Sequence, residues 1–283
     1  MRITTNDAIG FLFASRIPNL VVIGLTQFIT AYFLLDTPMW MLLKARFLLF
    51  ILSTSFIGAA GYIINDYFDQ KIDMVNRPGK VIIGTTFRRR LALIAHFVLT
   101  VSGIAIGFLI DPFVGVVHVF SAGALWTYSA VLKRWILLGT LTISFLTILT
   151  LLLVLIYFRE FRLLVVAYAM FGCVTIFIRE SIKDIISAKG EIQFGIQSIP
   201  IVWGIRGAKV MIYLAGVVGV GMLTFYLWSI PNWNVRYFFF AVLGFVFWIA
   251  YKLAKADKIK DFKSIKIDID IIIVAGLVSM LLI

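Results

Sequence analysis

Residues 46–64 read RFLLFILSTSFIGAAGYII, and residues 65–73 follow directly as NDYFDQKID. After Arg46 the first segment is apolar on all sides and not along one stripe, which is the pattern of a helix surrounded by lipid. Its length is close to the roughly 20 residues that cross a bilayer core. The second segment sets Asn65, Asp66, Asp69 and Asp73 at the point where that span ends. One membrane helix therefore runs straight into a cluster of carboxylates.

The rest of the chain repeats the first half of this pattern. Its 283 residues are 62% hydrophobic and only 14% charged, against about 25% charged in a typical soluble domain. The mean hydropathy is +1.04. The apolar residues fall in long runs, and the alternating segments of about ten residues that mark a membrane β-barrel are absent. The expected fold class is an all-α polytopic membrane protein, a single domain over residues 1–283. Nine spans are expected, at about 17–35, 46–64, 91–110, 112–131, 135–157, 161–179, 208–230, 236–254 and 267–283. The polar start, Met1 to Gly10, has no cleavable-signal pattern, so the first span is expected to serve as the insertion signal. The lone cysteine, Cys173, lies in an apolar run and reads as packing.

Basic residues set the orientation. With a cytoplasmic N-terminus, 21 of the 26 Lys and Arg fall in inner segments, including Arg2 and Arg16, Lys71 to Arg90, Lys133 and Arg134, Arg179 to Lys209, and Lys252 to Lys266. The outer side keeps Lys44, Arg46, Arg159, Arg162 and Arg236. The positive-inside rule then puts the N-terminus in the cytoplasm and, after nine spans, the C-terminus outside. An inner membrane of bacterial type is the expected location. The net charge of +12 suits topology and anionic lipid headgroups. Nucleic acid is not an expected partner, because the basic residues sit in short loops between spans. The run from Lys252 to Lys266 reads as a solvated loop facing lipid.

Only 14 residues are acidic, and six of them sit at two inner span ends. Asp66, Asp69 and Asp73 follow the second span; Glu180, Asp184 and Glu191 follow the sixth. If the second helix continues past Asn65, then Asn65 and Asp69, Asp66 and Asp69, and Asp69 and Asp73 are three or four residues apart on one face. Glu180 and Asp184 have the same relation. Like charges at such spacing repel, and a cation explains why the repulsion is kept twice. Oxygen ligands with no His or Cys beside them favour Mg²⁺, which is commonly shared between carboxylates and substrate phosphates. The plain alternative for any one of these acids is a helix-end charge facing water. Arg77, Lys80, Lys133, Arg134 and Lys183 lie in the nearest inner loops, where a cation stabilises charge on a departing diphosphate.

Asn65-Asp66-x-x-Asp69-x-x-x-Asp73 followed by Asn76-Arg77-Pro78 closely resembles the first motif of the UbiA family of intramembrane prenyltransferases. Arg179-Glu180-x-x-Lys183-Asp184, then Lys189-Gly190-Glu191 and Ser198-Ile199-Pro200, resembles the second. Arg16-x-Pro18-Asn19 and Tyr128-Ser129-x-x-Leu132-Lys133-Arg134 match more weakly, in family order. The resemblance implies nine transmembrane helices around a central cavity, with a cytoplasmic cap. It implies that Asn65, Asp66, Asp69, Glu180 and Asp184 hold Mg²⁺ and an isoprenyl diphosphate. Asp66, Asp69, Asp184 and Lys133 would be catalytic, while Asn65, Asp73, Arg77, Tyr128, Lys183, Asn19 and Arg16 would bind substrate. Transfer would proceed through ionisation of the diphosphate ester to an allylic cation, shielded from water.

The second motif departs from the family pattern. Ile186, Ser187 and Ala188 stand where further acids are usual, Glu180 and Glu191 replace frequent Asp, and Gly139-Thr140 replaces Gly-Asn. Its Arg-Glu-x-x-Lys-Asp form looks most like members that alkylate glycerol-phosphate lipids. The alternative acceptor is an aromatic quinone precursor of hydroxybenzoate or dihydroxynaphthoate type. A CDP-alcohol phosphotransferase would need an Asp-Gly-x-x-Ala-Arg run, which is absent. A membrane transporter would place ionisable residues near the bilayer midplane instead of at span ends.

Overall fold

The computed structural model describes residues 4–229 and 233–282. Arg2, residue 230 of the seventh expected span and residue 283 of the ninth lie outside the described residues. Helices follow one another along the whole chain: α1 (Thr5–Ala14), α2 (Ile17–Ile29), α3 (Met39–Leu42), α4 (Ala45–Asn76), α5 (Arg89–Ile110), α6 (Pro112–Ala130), α7 (Leu138–Phe158), α8 (Leu163–Gln193), α9 (Ile199–Val202), α10 (Gly204–Ser229), α11 (Trp233–Lys255) and α12 (Ile259–Ser279). No strand forms among the described residues, where a single bridge joins Ile83 to Phe87.

Eight helices among the described residues are long and apolar enough to cross a membrane, from Ile17–Leu34 to Arg236–Lys255. The segment expected as the ninth lies in α12. That helix starts earlier, at Ile259, carries Lys260, Asp261, Lys263, Lys266, Asp268 and Asp270 in its first turns, and is not one of the eight. The run from Lys252 to Lys266 is also not the expected loop. Only residues 256–258 connect α11 to α12, and Lys252 donates to Asp268 and, at 2.8 Å, to Ser264. That pair neutralises Lys252, while Lys255, Lys258, Lys260 and Lys263 stay exposed.

The chain forms two compact units, one built mainly of the residues up to Leu132 together with Leu153–Glu160, the other mainly of Lys133–Leu152 and the residues from Phe161 on. In the first, α4 packs along α5, α6 and α2. Its core holds Phe47, Phe50, Ile63 and Ile64, with Tyr157 4.7 Å from Phe50 between ring centroids. A second cluster, Ala14, Ile63, Ile83, Phe87 and Ala92, ties α1 to the loop after α4. Thr4 caps α1 and Asp7 completes the capping box; Asp7 is also buried against Arg88 at 2.7 Å. In the second unit, α8, α10, α11 and α12 share a core of Ile182, Ile212, Leu253, Phe262, Ile265 and Ile269.

Two features bring functional side chains to helix ends. At 1.5 Å per residue, the 32 residues of α4 span about 48 Å, well beyond a hydrocarbon core of about 30 Å. Its last turns, which carry the carboxylates, therefore project past the apolar layer. The helix stops where Arg77 precedes Pro78, since the residue before proline is driven out of helical conformation. The 31-residue α8 behaves alike and stops before Gly195, whose φ of +67° suits a residue without a side chain.

Candidate active site

In the first unit, the continuation of α4 puts Asn65, Asp66 and Asp69 on consecutive turns of one face. Asn65 donates its amide to Asp69 Oδ2 at 3.1 Å. This leaves Asn65 Oδ1 buried without a hydrogen-bond partner. An orphaned buried oxygen costs about 1–3 kcal/mol, so the position asks for a donor or a cation. Asp69 is buried and Asp66 half-buried. Asp66 Oδ1 accepts from Arg16 Nη2 at 2.6 Å, and the Arg16 guanidinium lies 5.0 Å from the centre of the Tyr62 ring. Arg16 reaches it from the break between α1 and α2, where its own backbone is left-handed at φ +51°. Strain of this kind in a non-glycine residue persists only where its surroundings impose it.

The other expected residues of this unit are more scattered. The Asp73 carbonyl accepts the Arg77 N–H at 2.7 Å and closes α4. Arg77 is exposed at that end. Asn19 is exposed, its N–H bonded to the Arg16 carbonyl at 2.8 Å. Tyr128 is buried on α6.

In the second unit, Glu180 is buried and already held by two cations. Arg179 Nη1 donates to Oε1 at 2.9 Å and Lys183 Nζ to Oε2 at 2.6 Å. Lys133 adds a third positive field. It sits in the turn Leu132–Arg134, where the Arg134 carbonyl accepts from Gln197 N at 3.0 Å. Asp184, half-buried one turn on, accepts from Thr140 Oγ1 at 3.2 Å. Thr140 is thus a functional neighbour that the sequence registers only as a departure. Glu191 is buried between the Ser187 hydroxyl and the Ser198 hydroxyl, the latter at 2.7 Å. It pins the end of α8 to the following segment. On α8, within the nine residues before Glu180, Phe171, Thr175 and Ile178 line an apolar cleft with Gly216, Ile249 and Ile269.

Among the described residues no three His, Cys, Asp or Glu side chains close into a ready-made metal cage. A partial face of an amide oxygen and two carboxylates suits Mg²⁺, which keeps several waters and takes further oxygens from a phosphate. The Asn65 side fits such an ion. Glu180 fits it poorly while two cations hold its oxygens, whereas Asp184 has only a hydroxyl donor to yield.

The described residues thus form long helices apolar enough to cross a membrane, two of which carry acidic residues at one end. The UbiA prenyltransferase family matches residues 5–267, and the chain belongs to it. Digeranylgeranylglyceryl phosphate synthase from Methanosarcina barkeri is 30% identical over 225 residues, covering 77% of each chain. The Methanosarcina mazei protein of that name is 30% identical over 216 residues, covering 75% of this chain and 74% of its own. A solved digeranylgeranylglyceryl phosphate synthase structure shares the fold at a TM-score of 0.76 and 20% identity, over 98% of each chain. A UbiA homolog from Archaeoglobus fulgidus bound to GPP and Mg²⁺ superposes at 0.67 with 12% identity, over 96% of this chain and 99% of its own.

Proposed function

We propose that this prenyltransferase moves an isoprenyl group from an isoprenyl diphosphate to the hydroxyl of a glycerol-phosphate lipid precursor. The observation that carries the site is the partnerless, buried Asn65 Oδ1 beside Asp66 and Asp69. The names of the most similar relatives support the acceptor, as does the Arg179-Glu180-x-x-Lys183-Asp184 form of the second motif.

Asn65, Asp66, Asp69 and Asp184 are the residues proposed to hold Mg²⁺, with Glu180 contributing charge balance more than a coordinating oxygen. Mg²⁺, when bound, supplies Lewis-acid neutralisation of the diphosphate. Lys133, Lys183 and Arg77 bring the further positive charge that favours departure of diphosphate. Asp73, Tyr128, Arg16 and Asn19 orient the diphosphate end. The apolar cleft on α8 suits a hydrocarbon tail. The bond between the first prenyl carbon and diphosphate breaks to leave an allylic cation, the acceptor oxygen attacks that carbon, and the hydroxyl proton is released as diphosphate departs. Basic residues favour an inner, cytoplasmic face for this chemistry and a cytoplasmic N-terminus.

Purified protein with Mg²⁺ and radiolabelled geranylgeranyl diphosphate tests the reading against a panel of acceptors. Label should pass to geranylgeranylglyceryl phosphate and not to hydroxybenzoate or dihydroxynaphthoate. Label appearing only on an aromatic acid would overturn the acceptor, and no transfer to any acceptor would overturn the activity.

A further inference from the structure

The two faces of α12 are built for different surroundings. Phe262, Ile265, Ile269 and Ile272 turn into the core of the second unit. On another face Lys260, Lys263, Ile267, Ile271, Val274 and Val278 are all exposed. They recur every three or four residues and so form a single stripe. The stripe changes character once, from lysine to aliphatic, between Lys263 and Ile267.

The neighbouring helix marks the same height. Lys252 on α11 donates to Ser264 at 2.8 Å and to Asp268, which levels the end of α11 with residues 264–268. Directly before Lys252, exposed Trp248 and Tyr251 stack with ring centroids 5.8 Å apart. Trp and Tyr gather at the headgroup level of a membrane. From Ile267 to Val278 the aliphatic part of the stripe rises about 16 Å, close to one leaflet of a hydrocarbon core about 30 Å thick.

The acids of α12 are spent elsewhere. Asp261 accepts the backbone N–H groups of Asp257 and Lys258 at 3.1 and 3.0 Å. Asp268 pairs with Lys252, and Asp270 with Arg179 and Lys266. Lys260 and Lys263 form no ion pair or hydrogen bond among the described residues. Residues 255–263 hold four lysines against Asp257 and Asp261, a net charge of +2, and Asp257 itself lies 4.0 Å from Lys209.

We propose that this stripe binds one anionic phospholipid, its headgroup phosphate on Lys260 and Lys263 and its chains along Ile267 to Val278. Charge complementarity selects the head, and the length of the aliphatic part selects a chain one leaflet deep. The site uses no residue assigned to prenyl transfer and stands independently of that reading.

The purified full chain in detergent, titrated with dioleoyl phosphatidylglycerol and read by native mass spectrometry, tests the site. A lysine near an anionic headgroup contributes about fivefold in affinity. Lys260→Gln with Lys263→Gln should therefore weaken the tightest-bound lipid about 25-fold, whereas Lys260→Arg with Lys263→Arg should stay within about twofold of the parent. Lys80→Gln with Arg90→Gln removes the same charge from exposed positions after α4 and on α5, and should also stay within about twofold. Neither dioleoyl phosphatidylcholine nor inorganic phosphate should displace the bound lipid. Unchanged binding in the Lys260 and Lys263 glutamine variant, or an equal loss in the Lys80 and Arg90 variant, would overturn the site. Displacement by inorganic phosphate alone would reduce it to an anion site and overturn the lipid, and displacement by phosphatidylcholine would overturn the role of charge. Where the double variant is not recovered folded, Lys263→Gln alone should show the single step of about fivefold.

Discussion

The two carboxylate-bearing helices are built alike and finished differently. Both α4 and α8 outrun an apolar span and carry acids four residues apart at the far end. On α4 one oxygen is left over: Asn65 Oδ1 has no hydrogen-bond partner, beside an Asp66 that pairs with Arg16. On α8 the oxygens are almost fully engaged, Glu180 by Arg179 and Lys183 and Glu191 by two serine hydroxyls. Spacing of acids therefore does not by itself define a cation site; what neighbouring side chains leave unbonded does. On the proposed reading the α4 end offers an oxygen to a hard cation, while the α8 end is a charge-balanced frame that offers mainly Asp184.

The largest effects should come from the carboxylates proposed to hold Mg²⁺. Asp66→Ala, Asp69→Ala and Asp184→Ala should each cut label transfer by at least about a hundredfold in folded protein, and full activity in any of them would sink that assignment. Asn65→Leu should follow, raising the Mg²⁺ concentration for half-maximal rate roughly tenfold, read from a metal titration. Glu180→Gln sharpens the contrast between the helices. Its rate loss should be smaller than that of Asp184→Asn, and a reversed order would show Glu180 coordinating directly.

Stability provides two smaller tests around the loop after α4. Gly84 has φ +88°, and a Cβ there would stand 2.1 Å from Gln70 Nε2. Gly84→Ala should cost about 1–3 kcal/mol, visible as a lowered melting temperature. Finally, Arg88 beside Asp7 holds its carboxyl well below the usual carboxylate range. A depressed folded-state value means that the stabilisation is present above the unfolded carboxylate range, near pH 4, and fades as pH falls further. The melting temperature of the parent should exceed that of Asp7→Asn at neutral pH, and the gap should narrow in acid below about pH 4. A constant gap would remove the ion pair as its cause.

Much of this was legible in the chain itself. Unbroken apolar runs disclose membrane helices because lipid asks nothing of their faces. From sequence, the helical continuation past Asn65 is only a condition, and α4 meets it by running to Asn76. Distant pairings were not legible: Arg179 with Asp270 across 91 positions, Asp7 with Arg88 across 81, Asp184 with Thr140 across 44. For the same reason Lys252 to Lys266 passed for a loop. A lysine bound for Asp268 and one bound for water are the same letter, and only packing distinguishes them.

The continuity of α4 also constrains how the protein can change over generations. Because one uninterrupted rod joins the packed core at Phe50 and Ile57 to the acidic face at Asn65, inserting a single residue between them would advance that face by only about 1.5 Å but turn it by about 100°. Asn65, Asp66 and Asp69 would swing away from Arg16 and from anything they hold. Substitutions along the lipid-facing side of this rod are cheap, and insertions or deletions within it are not. Length, more than composition, is what this segment has to inherit.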